Sequence, residues 1–416
     1  MPLRCPPSAL DPKQATTSET AWIHWKEYVC ELVTPLYGGG VEAGKVDKGM
    51  PVRAGAIRGQ LRFWWRLLAR HKWRLENIKG REFNLWGGLN NKNVYASRVW
   101  IRVEDISSPD VEAWAKFEQR NGRWQSIPTP KPWANVPYAL FPAQGKRPGG
   151  PDAQDPALLA KPGLRWKLHV GFEQRHDDTS SEIQDEMQAQ VDETLRWWAS
   201  FGGIGARTRR GLGAIRVESL RAVGQEETEA ASCQLVLRGA SNAETAWKNA
   251  VDKLRDFRQK PGFARNAGNG NRPGRSLWPE PDAIRRLAGQ HAPNHAPAHA
   301  AGNVFPRAAF GLPIIFQFKD NNDPADHALQ AQGYDRLASP LILRPYTNGQ
   351  NWFAAALLLP HSHVENMNLE LKRGGVTIPE AIPYWQTKKA SLVPPIAQAS
   401  TKAQDALSAF LEFFQR

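Results

Sequence analysis

Between Arg53 and Lys72 the chain carries two helical periodicities at once. Ile57, Leu61, Trp64, Trp65 and Leu68 step at i, i+4, i+7, i+8 and i+11, a stripe that an α-helix gathers onto one face. Arg58, Arg62, Arg66 and Arg70 recur every fourth residue, about 400° of helical advance, so they form a slowly drifting ridge. Such a helix needs a second apolar layer under its tryptophans, and its arginine face is expected to look into solvent.

The neighbouring segments supply that layer. Residues 26–34 alternate as a half-buried strand does, with Tyr28, Cys30 and Leu32 on one face. Residues 94–103 read as a strand, and residues 164–172 alternate cleanly, with Leu164, Trp166, Leu168, Val170 and Phe172 on one side. A second helix spans about 181–200 and a short strand 214–220. The order β-α-β-β-α-β is that of a ferredoxin-like unit. The second half repeats the theme less clearly. It has a strand at 233–237, a helix at 243–257, apolar strands near 312–318, 340–343 and 352–359, and a closing helix at 401–414. The expected fold class is α+β, with two ferredoxin-like (RRM-like, βαββαβ) domains in tandem, the second degenerate, and long loop insertions. The expected division is a flexible arm at 1–20, a first domain at 21–225 with an insertion at 105–163, and a second domain at 226–416. Residues 260–303, rich in Gly, Asn, Pro, Ala and His, read as mobile.

Composition narrows the function. The formal charge is +13, and two stretches hold it. Residues 41–81 carry 11 Lys/Arg against 3 acids, a net of +8, and residues 196–216 carry 5 Arg and no acid. Such local excess points to a polyanion, and nucleic acid is the expected partner. With 41% hydrophobic residues and 17 Trp, this is no disordered polycation. Cys5, Cys30 and Cys233 lack any CxxC spacing, which argues against a zinc ribbon and fits a reducing cytoplasm. No 18-residue apolar run occurs and the N-terminus lacks an apolar core, so neither membrane spanning nor secretion is expected.

Two basic elements are candidate RNA contacts. On the helix, Arg53 stands at the N-terminus and Arg58, Arg62, Arg66 and Arg70 follow, with no acid between Arg53 and Arg74 to pair them along the helix. In the loop 201–213, Gly202, Gly203 and Gly205 suit a concave nest of backbone N–H groups, with Arg207, Arg209 and Arg210 at its rim. Ordinary turn chemistry and a solvated charged face are the plainer readings of the two. No Gly-Lys-Ser/Thr follows, so this is not a nucleotide P-loop. Ahead of the helix, Lys45 and Lys48 add charge and Tyr37 is a stacking candidate for an unstacked base. Arg307, Arg336 and Arg344, each beside a strand, would extend the RNA track or meet a neighbouring subunit. Core packing is expected for Trp64, Trp65, Trp197 and Trp198.

TPLYGGG with VDKGMPVRAGAIRGQLRFWWRLLAR, the loop GGIGARTRRGLG, and later AAFGLPIIFQF and RLASPLILRP together resemble the RAMP superfamily. Within it they look most like the first subunits of Cmr (type III-B) CRISPR effector complexes. IRGQLRFWWR, residues 57–66, is the most specific part, and the likeness runs from about residue 25 to 344, interrupted at 105–163 and 240–303. The resemblance implies two ferredoxin-like domains and one copy per ribonucleoprotein. It also implies a place at the guide RNA's 3′ end, in touch with a neighbouring RAMP subunit and the target RNA. Cutting and cyclic-oligonucleotide synthesis belong to other subunits in that family, so a binding role without cofactor or metal is expected. Asp47, flanked by Lys45 and Lys48, is the one acid placed for metal-assisted RNA cleavage, and His24 the one histidine for general acid–base work. Simple pairing and a structural role are the expected parts for these two. The alternative class is a stand-alone RAMP endoribonuclease that processes guide precursors. His291, His295 and His299 recur at metal-ligand spacing, but Pro293 and Pro297 break the helix this would need.

Overall fold

A computed structural model describes residues 23–42, 44–90, 93–129, 131, 133, 135–175, 179–270, 273–361, 368–373, 376–377 and 387–416. The arm expected at 1–20 lies outside these. The architecture is mixed α and β with antiparallel sheets.

The first unit follows from its periodicities. Strand β1 (Ile23–Leu32), helix α1 (Ala54–His71), helix α2 (Ile78–Trp86), strand β2 (Val99–Glu104), strand β3 (Arg165–Glu173), helix α3 (Ser181–Phe201) and strand β4 (Ile215–Val217) come in that order. The sheet order is β4-β1-β3-β2. The β1–β3 ladder runs from Ile23 opposite Glu173 to Glu31 opposite Arg165, so Tyr28, Cys30 and Leu32 share a face with Trp166, Leu168 and Val170. Helices α1 and α3 cover that face. Trp64, Trp65, Trp197 and Trp198 are all buried beneath them, as expected, with Trp64 and Trp197 5.9 Å apart between ring centroids. Each such ring removes about 200 Å² from water, on the order of 5 kcal/mol before the entropy of ordering. The Trp65 indole donates to Gln190 at 3.1 Å, and Lys72 and Trp73 both reach Glu193, fixing one helix on the other. Helix α3 starts where Ser180 caps the Ile183 N–H and stops at Gly202. Helix α1 has no side-chain cap, but its last turn carries Arg70 and His71, which favour the negative end of the helix dipole.

The second half runs β5 (Gln234–Ala240), α4 (Ala243–Gln259), β6 (Leu341–Thr347) and β7 (Trp352–Leu358), with helix α5 (Ala406–Gln415) near the end. Its sheet order is β5-β7-β6. Strand β7 reads WFAAALL because both of its faces are buried. Ala354, Ala356 and Leu358 pack with Phe257 of α4 and Phe410 of α5, whereas Ala355 and Leu357 join the tryptophan core of the first unit. The second half thus has a cluster of its own around Phe257 and Phe410, and through Ala355 and Leu357 it also packs on the core of the first unit.

Both insertions are more structured than their composition suggests. Residues 105–163 carry Trp114, Trp133, Leu140 and Leu159, which form a small core with Leu212 and with Trp247 of α4. The segment 260–303, read as mobile, holds the helix Glu280–Ala288 and buries Trp278, Ile284 and Ala301 among the described residues. Polar pairing explains the difference. Buried Arg285 grips Asp323 with two bonds of 2.9 and 2.8 Å, His295 reaches the same carboxylate at 2.6 Å, and Arg275 meets Asp282 at 2.9 Å. A low-complexity segment gains order here from charges that find partners in the strand-rich stretch after it.

Burial pushes the Asp323 carboxyl up, but the Arg285 fork, the Ala292 N–H and His295 outweigh it and hold the group well below the ordinary carboxylate range. Its stabilisation is therefore complete above about pH 4, where the unfolded chain's carboxylate is already ionised, and is lost as pH falls toward its folded value. Asp323→Asn should lower stability by about 3 kcal/mol at pH 7. The gap to wild type should narrow as urea melts move from pH 5 to pH 3. A pH-independent gap would assign the loss to packing instead.

Candidate nucleic-acid interface

The loop ahead of α1 is built around Asp47. One carboxylate oxygen accepts the N–H groups of Gly49 and Met50 at 3.0 and 3.1 Å, and the other meets Arg53 at 3.1 Å. The Met50 and Gly49 N–H groups and the Arg53 guanidinium hold its pKa low. Both oxygens of this acid are thus engaged in shaping the loop, and Arg53 faces Asp47. Lys45 pairs with Glu42, and Lys48 is exposed. Tyr37 packs against the small core of residues 105–163, its hydroxyl 3.5 Å from the Pro142 carbonyl, and this differs from the free stacking platform expected of it.

The arginine ridge divides. Arg58 donates to the Ser97 hydroxyl at 2.7 Å and the Val99 carbonyl at 2.8 Å, tying α1 to the start of β2. Arg62 forks onto Glu82 at 2.7 Å, and that carboxylate is buried. The expectation of a continuous solvent-facing ridge fails at these two positions. The neutralising acid comes from α2, an element the sequence reading did not identify, rather than from α1 itself. Arg66, 3.8 Å from Glu82 and half-exposed, and exposed Arg70 remain available.

The loop 201–213 also differs from its expected form. Gly202 and Gly203 are buried, and Gly205, at φ +76°, stands where a Cβ would lie 2.3 Å from Leu36 Cδ1. The N–H groups of Ile204, Ala206 and Gly213 donate to the carbonyls of Gly213, Tyr37 and Pro35. These glycines allow close packing of backbone on backbone and do not form an open nest. The arginines turn toward the second half. Arg209 donates to the Ser339 carbonyl, and Arg210 donates to Leu341 at 3.1 Å and Phe310 at 3.0 Å. Arg344 answers from the other side: buried, it donates to the Gly202 carbonyl and to Ile215 at 2.8 Å. Burial lowers the pKa of Arg210 and of Arg344 to about 9. No carboxylate takes part. Arg344 is thus an internal clamp and not part of a surface track, Arg307 pairs with Glu280 at 3.1 Å, and Arg336 is exposed.

What the two basic elements do share is a cleft of about 330 Å³ between α1 and the second half. Phe63, Arg66, Leu67, Arg70 and His71 line it from α1, Arg209 from the loop, and Leu337, Pro340 and Pro360 from the far side. A smaller hollow adjoins it through Phe63 and Arg209 and adds Gln60 and Thr208. Among the described residues no acid lines either one. Arg209 lies 5.5 Å over the Phe63 ring, so a desolvated guanidinium forms part of the wall. Two exposed arginines beside an apolar floor suit a phosphate on the rim and a base face within. Sequence reasoning found the arginines of this cleft. It missed Phe63, His71 and the proline-lined opposite wall, which come from residues distant along the chain.

The remaining candidates do not gather. His24 is exposed on β1. His291 contacts the Ala292 carbonyl at 3.0 Å, His295 meets Asp323, and His299 meets the Leu277 carbonyl at 3.1 Å, so the three do not converge. Among the described residues no group of three His, Cys, Asp or Glu could hold a metal ion, and no helix is long and apolar enough to cross a membrane.

Residues 29–216, from within β1 to within β4, match the model of the RAMP superfamily. The chain resembles the first subunit of the Cmr complex. It is 26% identical over 206 residues to the CRISPR system Cmr subunit Cmr1-2 of Pyrococcus furiosus, covering 46% of this chain and 94% of that relative. Two solved structures are distant likenesses. The apo crystal structure of Cmr1 from Pyrococcus furiosus gives a TM-score of 0.42 at 17% identity over 81% of this chain and 88% of that one. A type III-B Cmr-beta assembly bound to cognate target RNA gives 0.44 at 10% identity over 89% and 98%.

The division of the ridge predicts opposite costs. Arg62→Ala strands a buried carboxylate and should lose about 2–3 kcal/mol in urea unfolding. Arg66→Gln with Arg70→Gln should stay within about 0.5 kcal/mol of wild type. Equal losses in the two variants would restore a uniform ridge.

Proposed function

We propose that this chain is an RNA-contacting, non-catalytic subunit of a type III-B (Cmr) CRISPR effector ribonucleoprotein, acting in the cytoplasm in antiviral defence. The observation that carries this reading is the acid-free cleft uniting Arg66, Arg70 and Arg209. Two of its walls belong to the segment matching the RAMP model, and the chain is similar to a Cmr subunit over 206 residues. In this reading the first unit is ferredoxin-like, and β5-α4-β6-β7 is a degenerate second copy that keeps the relative order of the first three strands. The resemblance supports a position near the guide RNA's 3′ end, beside a neighbouring RAMP subunit and the target RNA.

RNA would bind through its charge and its bases together. Arg66 and Arg70 offer guanidinium forks to phosphate oxygens, and exposed Lys45 and Lys48 in the loop ahead of α1 add positive charge. Phe63, Leu67 and Pro340 offer apolar surface to a base, and sequence would be read by guide–target pairing. The stand-alone nuclease reading is disfavoured by Asp47, both of whose oxygens serve its own loop.

For the purified chain and single-stranded RNA, three phosphate contacts give a log–log salt slope of about −2. Arg66→Gln with Arg70→Gln should weaken binding at least about tenfold and bring the slope to about −1. A flat salt dependence in the wild type would remove the electrostatic cleft. In the reconstituted effector, Asp47→Ala should leave the rate of target cutting unchanged. Loss of cutting, with assembly and RNA binding intact, would make this an active nuclease subunit.

A further inference from the structure

A hollow of about 190 Å³ adjoins the α1 cleft and is built differently from it. Gln60 and Phe63 line it from α1, Phe201 from the end of α3, Thr208 and Arg209 from the loop 201–213, and Ile342 from β6. Helical spacing makes the two spaces continuous. Gln60, Phe63, Leu67 and Arg70 step at i, i+3, i+7 and i+10, so one face of α1 lines the hollow at its N-terminal end and the cleft further along. Phe63 and Arg209 belong to both.

Aromatic rings wall the hollow, and its polar side chains are unspent. Gln60 and Thr208 are half-buried, and neither the Gln60 amide nor the Thr208 hydroxyl makes a hydrogen bond among the described residues. Trp64 also lines the hollow, and its indole N–H is buried without an acceptor. The Trp64 and Phe201 rings lie 6.1 Å apart between centroids. Polar groups drawn partly out of water with no partner are costly, and a ligand that supplies partners relieves that cost. A flat heterocycle with donors and acceptors on its edge meets both the rings and the polar groups, and a nucleobase is such a molecule.

We propose that this hollow takes one unpaired base of a bound RNA and prefers adenine, with Gln60 as the residue that reads it. The proposal rests on the RNA-contacting reading of the cleft and adds base selection at one position of the strand. Elimination among edge-reading side chains leads to adenine. Guanine is read by an Arg or Lys fork, and Arg209 is already held over the Phe63 ring and by the Ser339 carbonyl. Cytosine is read by a carboxylate, and no acid lines the hollow among the described residues. A carboxamide offers one donor and one acceptor side by side, the pattern that the adenine N6/N7 edge completes. The same fork also matches uracil, but a two-ring base covers more of the aromatic wall.

Thermal melting of the full chain with adenosine, uridine or cytidine probes the hollow without any phosphate. Adenosine should raise the melting temperature saturably and bind at least about fivefold tighter than the other two. Gln60→Leu should melt at or above the wild-type temperature, since it removes an unpartnered amide, and should lose the adenosine preference. Thr208→Val should weaken adenosine binding. Gln60→Glu should move the preference to cytidine, a change of specificity that a merely structural role would not produce. In a second arm, an oligouridylate carrying one adenosine should bind at least about fivefold tighter than oligouridylate. That gap should close in Gln60→Leu with the salt slope unchanged. Absence of adenine preference in both arms overturns the proposal, and so does a preference that survives both Gln60→Leu and Gln60→Glu. Arg66→Gln with Arg70→Gln separates the hollow from the cleft, because it should weaken both oligonucleotides alike and leave the adenosine response in place. Salt-dependent RNA binding lost in that variant, with no adenine preference in either arm, overturns the hollow and keeps the cleft. An adenosine response lost in Gln60→Leu, beside RNA binding that is flat in salt, keeps the hollow and overturns the cleft.

Discussion

Guanidinium groups held by backbone carbonyls join the two halves of this chain. Arg209 and Arg210 reach from the first half to Ser339, Leu341 and Phe310, and Arg344 reaches back to Gly202 and Ile215. A carbonyl at the end of a strand or helix has a lone pair with no partner in its own element. A planar donor with several N–H groups can collect two such carbonyls from different segments. The bonds are charge-assisted and act where water is excluded, so each is stronger than a neutral pair. Trp247 adds one more, donating to the Arg210 carbonyl at 2.8 Å. The geometry of loop 201–213 follows from this constraint. Its glycines must admit Leu36, Trp198 and the neighbouring backbone, so that its arginines reach across the seam.

The packing of the second half on the first unit follows from the same join. A three-stranded sheet with helices on one side leaves its other face unpaired, and here that face lies on the tryptophan layer of the first unit. Small residues make this possible. With Ala354, Ala355 and Ala356 in succession, β7 lets α4 approach on one side and Phe201 and Tyr346 stack near it on the other, 6.0 Å apart and 16° from parallel. Larger side chains at these positions would hold the layers apart and break the carbonyl contacts.

The sequence reading succeeded where one periodicity governed one element. Helix α1, helix α3 and strands β1 and β3 were each legible within a few residues, because a buried stripe on one face leaves a repeating pattern. The reading failed where meaning depended on contact between distant segments. Glu82 is indistinguishable from any surface acid until α2 folds against α1, and only then is Arg62 seen to be an anchor, as Arg58 is only once β2 brings Ser97 and Val99 to it. Helix α2 itself is short and begins at Asn77, whose positive φ of 45° marks a turn rather than a run of helical residues. The loop 201–213 shows a second kind of ambiguity. An anion nest and a tightly packed crossing both call for glycine, for opposite reasons: one exposes N–H groups and the other hides them. The segment 260–303 shows a third. Polar low complexity signals mobility only if the charges lack partners, and Arg285 finds Asp323 38 residues further along.

The net charge of +13 therefore does not act as one quantity. Part is cancelled in place, as at Arg62 with Glu82 and Arg285 with Asp323. Part is turned inward onto carbonyls, where it joins the halves but keeps its sign. The remainder stands at the α1 cleft, whose described lining holds Arg66, Arg70 and Arg209. Cationic side chains that meet only carbonyls and ring faces remain sources of positive potential even when little of them touches solvent, because neither partner is an anion. The clamp that assembles the fold thereby also biases the seam and the adjoining cleft toward a polyanion. In this molecule two clamp arginines are neighbours in one loop, Arg210 on the inside and Arg209 also on the cleft wall. Loosening the first would shift the second.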